Sequence, residues 1–191
     1  MKIGLFFGSF NPIHIGHLAL ANYMLEYAGL DRVWFVVSPH NPLKDKKTLL
    51  SDLQRLQMVR LAIGDDQRMK ASNIEFNLPQ PSYTVNTLAY IKEKFPNDEF
   101  VLIMGSDNLE SFHKWKNADF ILDNYKICVY PRPGHEGGDL AKHPSVIMTK
   151  APQMEISASF LRDGIKQNKD LSRFFTPEVW SYLKTMDFYK K

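Results

Sequence analysis

Two hydrophobic patterns alternate along the chain. Short, nearly unbroken apolar runs occur at Ile3 to Phe7, Val33 to Val37, Glu99 to Met104 and Tyr125 to Tyr130. Runs of this length, with no regular polar alternation, predict strands buried on both faces. Between them, apolar residues recur at helical spacing. A helix is predicted from about His14 to Tyr27, with Ile15, Leu18, Ala19, Asn22 and Leu25 along one flank and Gly29 as its stop. Ser51 with Gln54 forms a capping box for a helix to about Ile63, whose inward stripe is read as Leu53, Leu56, Val59 and Ile63. A third helix carries Val85, Leu88, Ala89, Ile91 and Lys92 before Pro96 ends it. Shorter helical pieces are predicted at 109–113 and 117–122, a helix runs from Ser157 to about Asn168, and Thr176-Pro177-Glu178 opens the last one. Met69 to Phe76 and Val146 to Met148 complete the set as short strands.

Strand, helix and strand within the first thirty-seven residues make a βαβ unit, which requires a parallel sheet and a right-handed crossover. The alternation continues to the end, so the fold class is α/β: an open, mostly parallel twisted sheet with helices on both faces. One domain is expected over 1–191, with the helical part from about 157 to 191 packed on it. Hydrophobic residues at 44% and charged residues at 24% suit a globular protein, and a net charge of +3 makes no strong case for nucleic acid or a membrane surface. No window reaches the roughly twenty apolar residues of a membrane span. The single cysteine, Cys128, excludes an internal disulfide and suits a reducing compartment, so a cytoplasmic protein is expected.

Candidate chemistry gathers where strands end. Gly8-Ser9-Phe10-Asn11 follows the first apolar run and precedes a helix, a context in which free N–H groups stabilise a phosphate. His14 and His17 stand three apart, a spacing that puts both on one face of a helix, and Gly16 leaves room beside them. An isolated histidine pair reads most simply as one core and one solvated residue; the strand–glycine–helix context reverses that preference. Gly105-Ser106-Asp107-Asn108 repeats the arrangement after a second strand, on the edge where open parallel sheets bind ligands. Ile156-Ser157 to Arg162 forms another anion-binding corner. Lys44, near Lys46 and Lys47, Trp115, and the hydroxyls of Tyr83 and Thr84 each have an ordinary structural explanation when taken singly. No clustered carboxylates are present to cage a metal.

Pro12-Ile13-His14-Ile15-Gly16-His17 together with Ile156-Ser157 to Arg162 resembles the nucleotidylyltransferase superfamily, with its H-x-G-H and I-S-S-T-x-I-R motifs. Pro39 to Lys44, Pro81 to Leu88, Met104 to Leu109, Trp115 and Arg132-Pro133-Gly134 extend the likeness along nearly the whole chain to the bacterial nicotinate mononucleotide adenylyltransferase family. The resemblance implies a Rossmann-like nucleotidylyltransferase fold and adenylyl transfer from ATP to nicotinate mononucleotide, giving deamido-NAD and pyrophosphate without a covalent intermediate. It implies His14, His17, Lys44 and Arg162 as catalytic residues, and Gly8, Ser9, Phe10, Gly16, His40, Gly105, Asp107 and Ser157 as the ATP site. Tyr83, Thr84, Trp115 and Arg132 would take the nicotinate mononucleotide, with Mg²⁺ carried in on ATP. Its partners would be these two nucleotides, with no nucleic acid or membrane and with a homo-oligomer left open. Ala158 stands where the motif has a second hydroxyl, and Asn86 where an aspartate is common. Two alternatives carry the same motifs: a sister adenylyltransferase using nicotinamide mononucleotide or another phosphorylated acceptor, and a nucleotide-binding regulator without turnover.

Overall fold

The computed structural model describes residues 1–39 and 49–190. Six strands form one sheet: β1 (Lys2–Gly8), β2 (Arg32–Val37), β3 (Met69–Ser72), β4 (Glu99–Gly105), β5 (Lys126–Tyr130) and β6 (Val146–Met148). Every neighbouring pair is parallel, in the order β3-β2-β1-β4-β5-β6. The order reverses between β1 and β4, so the chain leaves these two strands in opposite directions and a crevice opens beyond their carboxyl ends.

The unbroken apolar runs are explained by burial on both faces. Phe6, Val33, Phe35, Val37, Val101, Ile103 and Cys128 belong to one core layer. Ile3, Leu5, Trp34, Val36, Leu102, Ile127 and Val129, on the opposite pleat, belong to the other. The first layer is covered by α1 (Ile15–Tyr27), α2 (Asp52–Ile63), α6 (Ala158–Lys166) and α7 (Pro177–Thr185). The second is covered by α3 (Thr84–Lys94), α4 (Ser106–Glu110) and α5 (Ala118–Asn124). Cys128 is a buried thiol whose pKa is pushed up by burial. Among the described residues no helix is long and apolar enough to cross a membrane.

Three local expectations change. The stretch after Met69 is a strand only to Ser72 and then becomes a 3₁₀ turn, Ile74–Asn77. Helix α1 turns Gly16, Leu20, Ala21, Met24 and Leu25 inward, whereas Ala19 and Asn22 are exposed. Its rotation follows from His17, whose ring meets Phe10 edge-on at 5.2 Å and Phe6 at 6.0 Å. Helix α2 buries Arg55, Leu56, Met58 and Val59, while Leu53 is 71% exposed. The arginine sets the phase here: its side chain must reach acceptors inside the fold, and that rotation carries Leu53 out to solvent. Leu53→Gln is therefore expected to change the free energy of unfolding by less than about 0.5 kcal/mol. Leu56→Ala is expected to cost about 2–5 kcal/mol by denaturant titration.

Candidate active site

The turn after β1 rests on two residues. A Cβ on Gly8 would lie 2.8 Å from the Phe10 ring, so only glycine lets that ring fold back beneath the strand end. Phe10 adopts φ +45°, in the left-handed region that is strained for a bulky residue. Its ring is buried against Phe6, Phe35 and His17, which holds the backbone there. Around this turn closes Arg55, which has no exposed surface. It donates to the carbonyls of Ser9 (2.6 Å), Ser38 (2.8 Å), Pro39 (2.8 Å) and Leu50 (3.0 Å), and to the Asp52 carboxylate. All five guanidinium N–H groups are thereby used. Burial lowers its pKa, and Asp52 opposes that shift. Sequence reasoning missed Arg55. The available signal was a cation next to Leu56 and one turn before Val59, on the inward arc of an amphipathic helix.

The histidines are placed differently from the expectation. His14 is extended (φ −148°) and forms the N-cap of α1, so it is not on the helix. The rings still meet, with centroids 3.8 Å apart and a tilt of 35°. The His14 amide donates to Nδ1 of His17 (3.2 Å), so the neutral His17 ring carries its proton on Nε2. His14 is buried, and its Nδ1 has no hydrogen-bond partner among the described residues. Burial, with the nearby positive charge of Arg132, lowers its pKa to about 4, so the ring is neutral at neutral pH. The space at Gly16 is used by this ring: a Cβ there would sit 3.0 Å from His14 Nδ1.

The opposite wall comes from the last motif and from β4 and β5. Ser157 caps α6, accepting from the Phe160 amide at 3.2 Å, and its hydroxyl lies 3.1 Å from that of Ser159. Arg162, one turn on, donates to the Asn11 carbonyl at 2.8 Å. Asp107 follows β4, with Oδ1 buried and 3.7 Å from Nε of Arg132. Gly105 makes that approach feasible, since a Cβ would fall against Asp107, Arg132 and Tyr130. The Arg132 amide is held by Ser106 Oγ at 2.9 Å. Gly8, Ser9, Phe10, His14, Gly16, His17, Asp107, Arg132, Ser157 and Arg162 line one cleft of about 570 Å³. Arg132 lines the same cleft as the two histidines. His40 and Lys44 lie outside the described residues.

A second cleft of about 420 Å³ contains Tyr83, Thr84 and Trp115, with Lys114 and Lys116 at its rim. Trp115 is half-buried, tilted 38° on Phe112 at 4.9 Å. The ammonium of Lys116 sits 4.5 Å over the Tyr83 ring. Tyr83 caps α3, and no acidic side chain occupies the first turn of that helix. Glu75, also unforeseen, is buried on the wall of this cleft with its carboxylate accepting from Thr87 Oγ1 at 2.7 Å. Burial raises its pKa, against the hydrogen bonds from Thr87, Ser38 and Ser82. The two clefts share Phe6, Phe7, Gly8, Ser9, Asn108 and Tyr130, so they meet over the end of β1.

A family model described as cytidylyltransferase-like matches residues 5–164. The chain is 55% identical to a Flavobacterium johnsoniae protein named "Probable nicotinate-nucleotide adenylyltransferase", over 100% of both chains. It is 52% identical to a protein of the same name from Christiangramia forsetii, over 99% of this chain and 98% of that one. Its fold is similar to that of Plasmodium falciparum nicotinic acid mononucleotide adenylyltransferase complexed with NaAD. The TM-score is 0.82 at 18% identity, covering 99% of this chain and 97% of the other, a likeness of fold. The chain belongs to the cytidylyltransferase-like family and, within it, to the nicotinate-nucleotide adenylyltransferases.

The buried neutral histidine makes stability depend on pH. His14 has a native pKa of about 4 against an ordinary 6.5, so as pH falls the unfolded chain takes up the proton first. The stabilisation is complete above the unfolded value and is lost as pH falls toward the native one. Linkage puts the loss at roughly 2 kcal/mol at about pH 5. His14→Asn should remove this component, read as a smaller drop in unfolding free energy between neutral pH and about pH 5 than the parent protein shows.

Proposed function

We propose that this family member joins ATP to nicotinate mononucleotide, forming deamido-NAD and pyrophosphate in NAD biosynthesis. The observation that carries the reading is the meeting of the two clefts over Gly8 and Ser9. One is walled by phosphate-directed donors and the other by an aromatic surface for a flat ring. A nucleoside triphosphate in the first and a pyridine mononucleotide in the second would bring two phosphates together where the clefts join.

In the reaction an oxygen of the nicotinate mononucleotide 5′-phosphate attacks the α-phosphorus of ATP in line with the departing pyrophosphate. A new P–O bond forms, the bond to the α,β-bridging oxygen breaks, and both electrons leave with pyrophosphate. The nucleophile is already an anion, so no general base is required, and the protein contributes positioning and charge stabilisation. His17 offers Nε2–H to a phosphate oxygen, and neutral His14 adds a donor that does not depend on ionisation near neutral pH. Arg162 and Arg132 supply fixed positive charge, and Ser157 and the Gly8–Ser9 backbone supply further donors. Asp107 stands near the nucleoside. Trp115 stacks on the pyridine ring, and the free amides at the start of α3, near Thr84, favour a carboxylate over a carboxamide.

Among the described residues no three His, Cys, Asp or Glu side chains come together as a metal cage. Asp107 is the one carboxylate on the wall of the histidine cleft among those residues. That donor set fits a Mg²⁺ that arrives on the triphosphate, where it neutralises phosphate charge. We assign the activity to the cytoplasm, in keeping with the buried, unpaired thiol of Cys128.

The parent protein should release pyrophosphate from ATP and Mg²⁺ with nicotinate mononucleotide much faster than with nicotinamide mononucleotide. ATP binding without turnover on either acceptor would refute the proposal. His17→Ala should lower turnover by about 10²–10³-fold, as loss of a preorganised donor does. Its thermal midpoint should fall modestly as well, because the variant loses the bond from the His14 amide and the ring contacts to Phe6 and Phe10. It should still unfold in one cooperative transition at a temperature above that of the assay.

A further inference from the structure

The last residues of the chain return to the first motif. After α7, Asp187 and Tyr189 adopt positive φ (+51° and +64°), and the backbone folds back on itself. Phe188 is buried, packed edge-on against Tyr182 at 5.5 Å, and anchors this tail in the core layer that α1 and α2 share. Tyr189 is half-buried, and its hydroxyl donates to Oδ1 of Asn11 at 2.6 Å, across 178 positions of sequence. The same oxygen accepts from the Leu50 amide at 3.2 Å. Two donors converge on it, so it is the carbonyl oxygen of the side-chain amide.

Asn11 occupies a sensitive place. It follows Phe10, whose left-handed backbone forms the turn, and lies three residues before His14. Its main-chain carbonyl accepts from Arg162. A shift of Asn11 would therefore move the turn and the guanidinium on the opposite wall together.

We propose that Tyr189 is a positioning residue for the phosphate-directed cleft, acting through Asn11 on the Gly8–Phe10 turn and on Arg162. The inference rests on the reading of that cleft as the nucleoside triphosphate site. Small displacements of groups that orient a reacting phosphate have large kinetic effects, because the gain from orientation depends on near-attack geometry. Phe188 is buried without help from the Tyr189 hydroxyl, so the tail is expected to remain docked when that hydroxyl is removed.

The test is Tyr189→Phe, alone and combined with Asn11→Ala. Turnover should fall about tenfold and the affinity for a non-hydrolysable ATP analogue about fivefold, with KM for nicotinate mononucleotide changed less than about twofold. The double variant should be no slower than Asn11→Ala alone, because both changes interrupt one path. Asn11→Asp, which keeps the acceptor, should restore turnover toward the parent level. Parent-level turnover and analogue affinity in Tyr189→Phe would overturn the inference, as would full additivity with Asn11→Ala or an equal loss on both substrates. If Asn11→Ala does not fold, analogue affinity in Tyr189→Phe decides the matter alone. A parent protein that binds the analogue but releases no pyrophosphate would refute the proposed reaction, while the effect of Tyr189→Phe on analogue affinity would still be read.

Discussion

A guanidinium sealed from solvent holds the turn after β1 in place. Arg55 carries a full charge into a site with no water access, an arrangement that persists only when every donor finds an acceptor. Four main-chain carbonyls and the Asp52 carboxylate meet that demand. Those acceptors belong to the turn after β1, to the segment leaving β2 and to the start of α2, so one side chain couples the three pieces that surround the end of the sheet. The Asp52 carboxylate balances the guanidinium charge, and the four carbonyls satisfy its remaining N–H groups.

The sheet explains why the site lies at this edge. Both faces are buried by helices, so ligand-accessible backbone remains only at the strand ends, and the reversal of order between β1 and β4 opens the crevice there. Side chains then divide the crevice into two parts of different chemistry. His14, stripped of solvent and beside Arg132, is held neutral near neutral pH. Trp115 and Tyr83, on the far side of the shared wall, offer aromatic surface with lysine at the rim.

Elements with strong local signals were legible in the chain. The buried strands, the Ser51–Gln54 box, the helix start at Ser157, the Thr176-Pro177-Glu178 opening and the Gly29 stop all agree with the fold, because each depends on neighbours within a few residues. Helix rotation was less legible. In α1 and α2 the apolar residues are spread widely enough to permit more than one inward stripe, and contacts from His17 and Arg55 selected the phase. Glu75 was invisible for a related reason: a lone glutamate before a loop carries no mark of burial until Thr87, from α3, arrives to bond it.

The sequence by itself determined the α/β class, the chain order of strands and helices, and the two separated motifs, His14 to His17 and Ser157 to Arg162. Periodicity, capping and short-range turn chemistry encode these directly. Only the tertiary structure decided that His14 caps its helix, that Arg132 lines the same cleft as the histidines, that Arg55 bonds the Ser9 carbonyl and that Tyr189 bonds the Asn11 side chain. Each of those outcomes depends on groups far apart in the chain coming within hydrogen-bonding or Coulombic range. Such proximity is set by the packing of whole layers, and no window of sequence contains it.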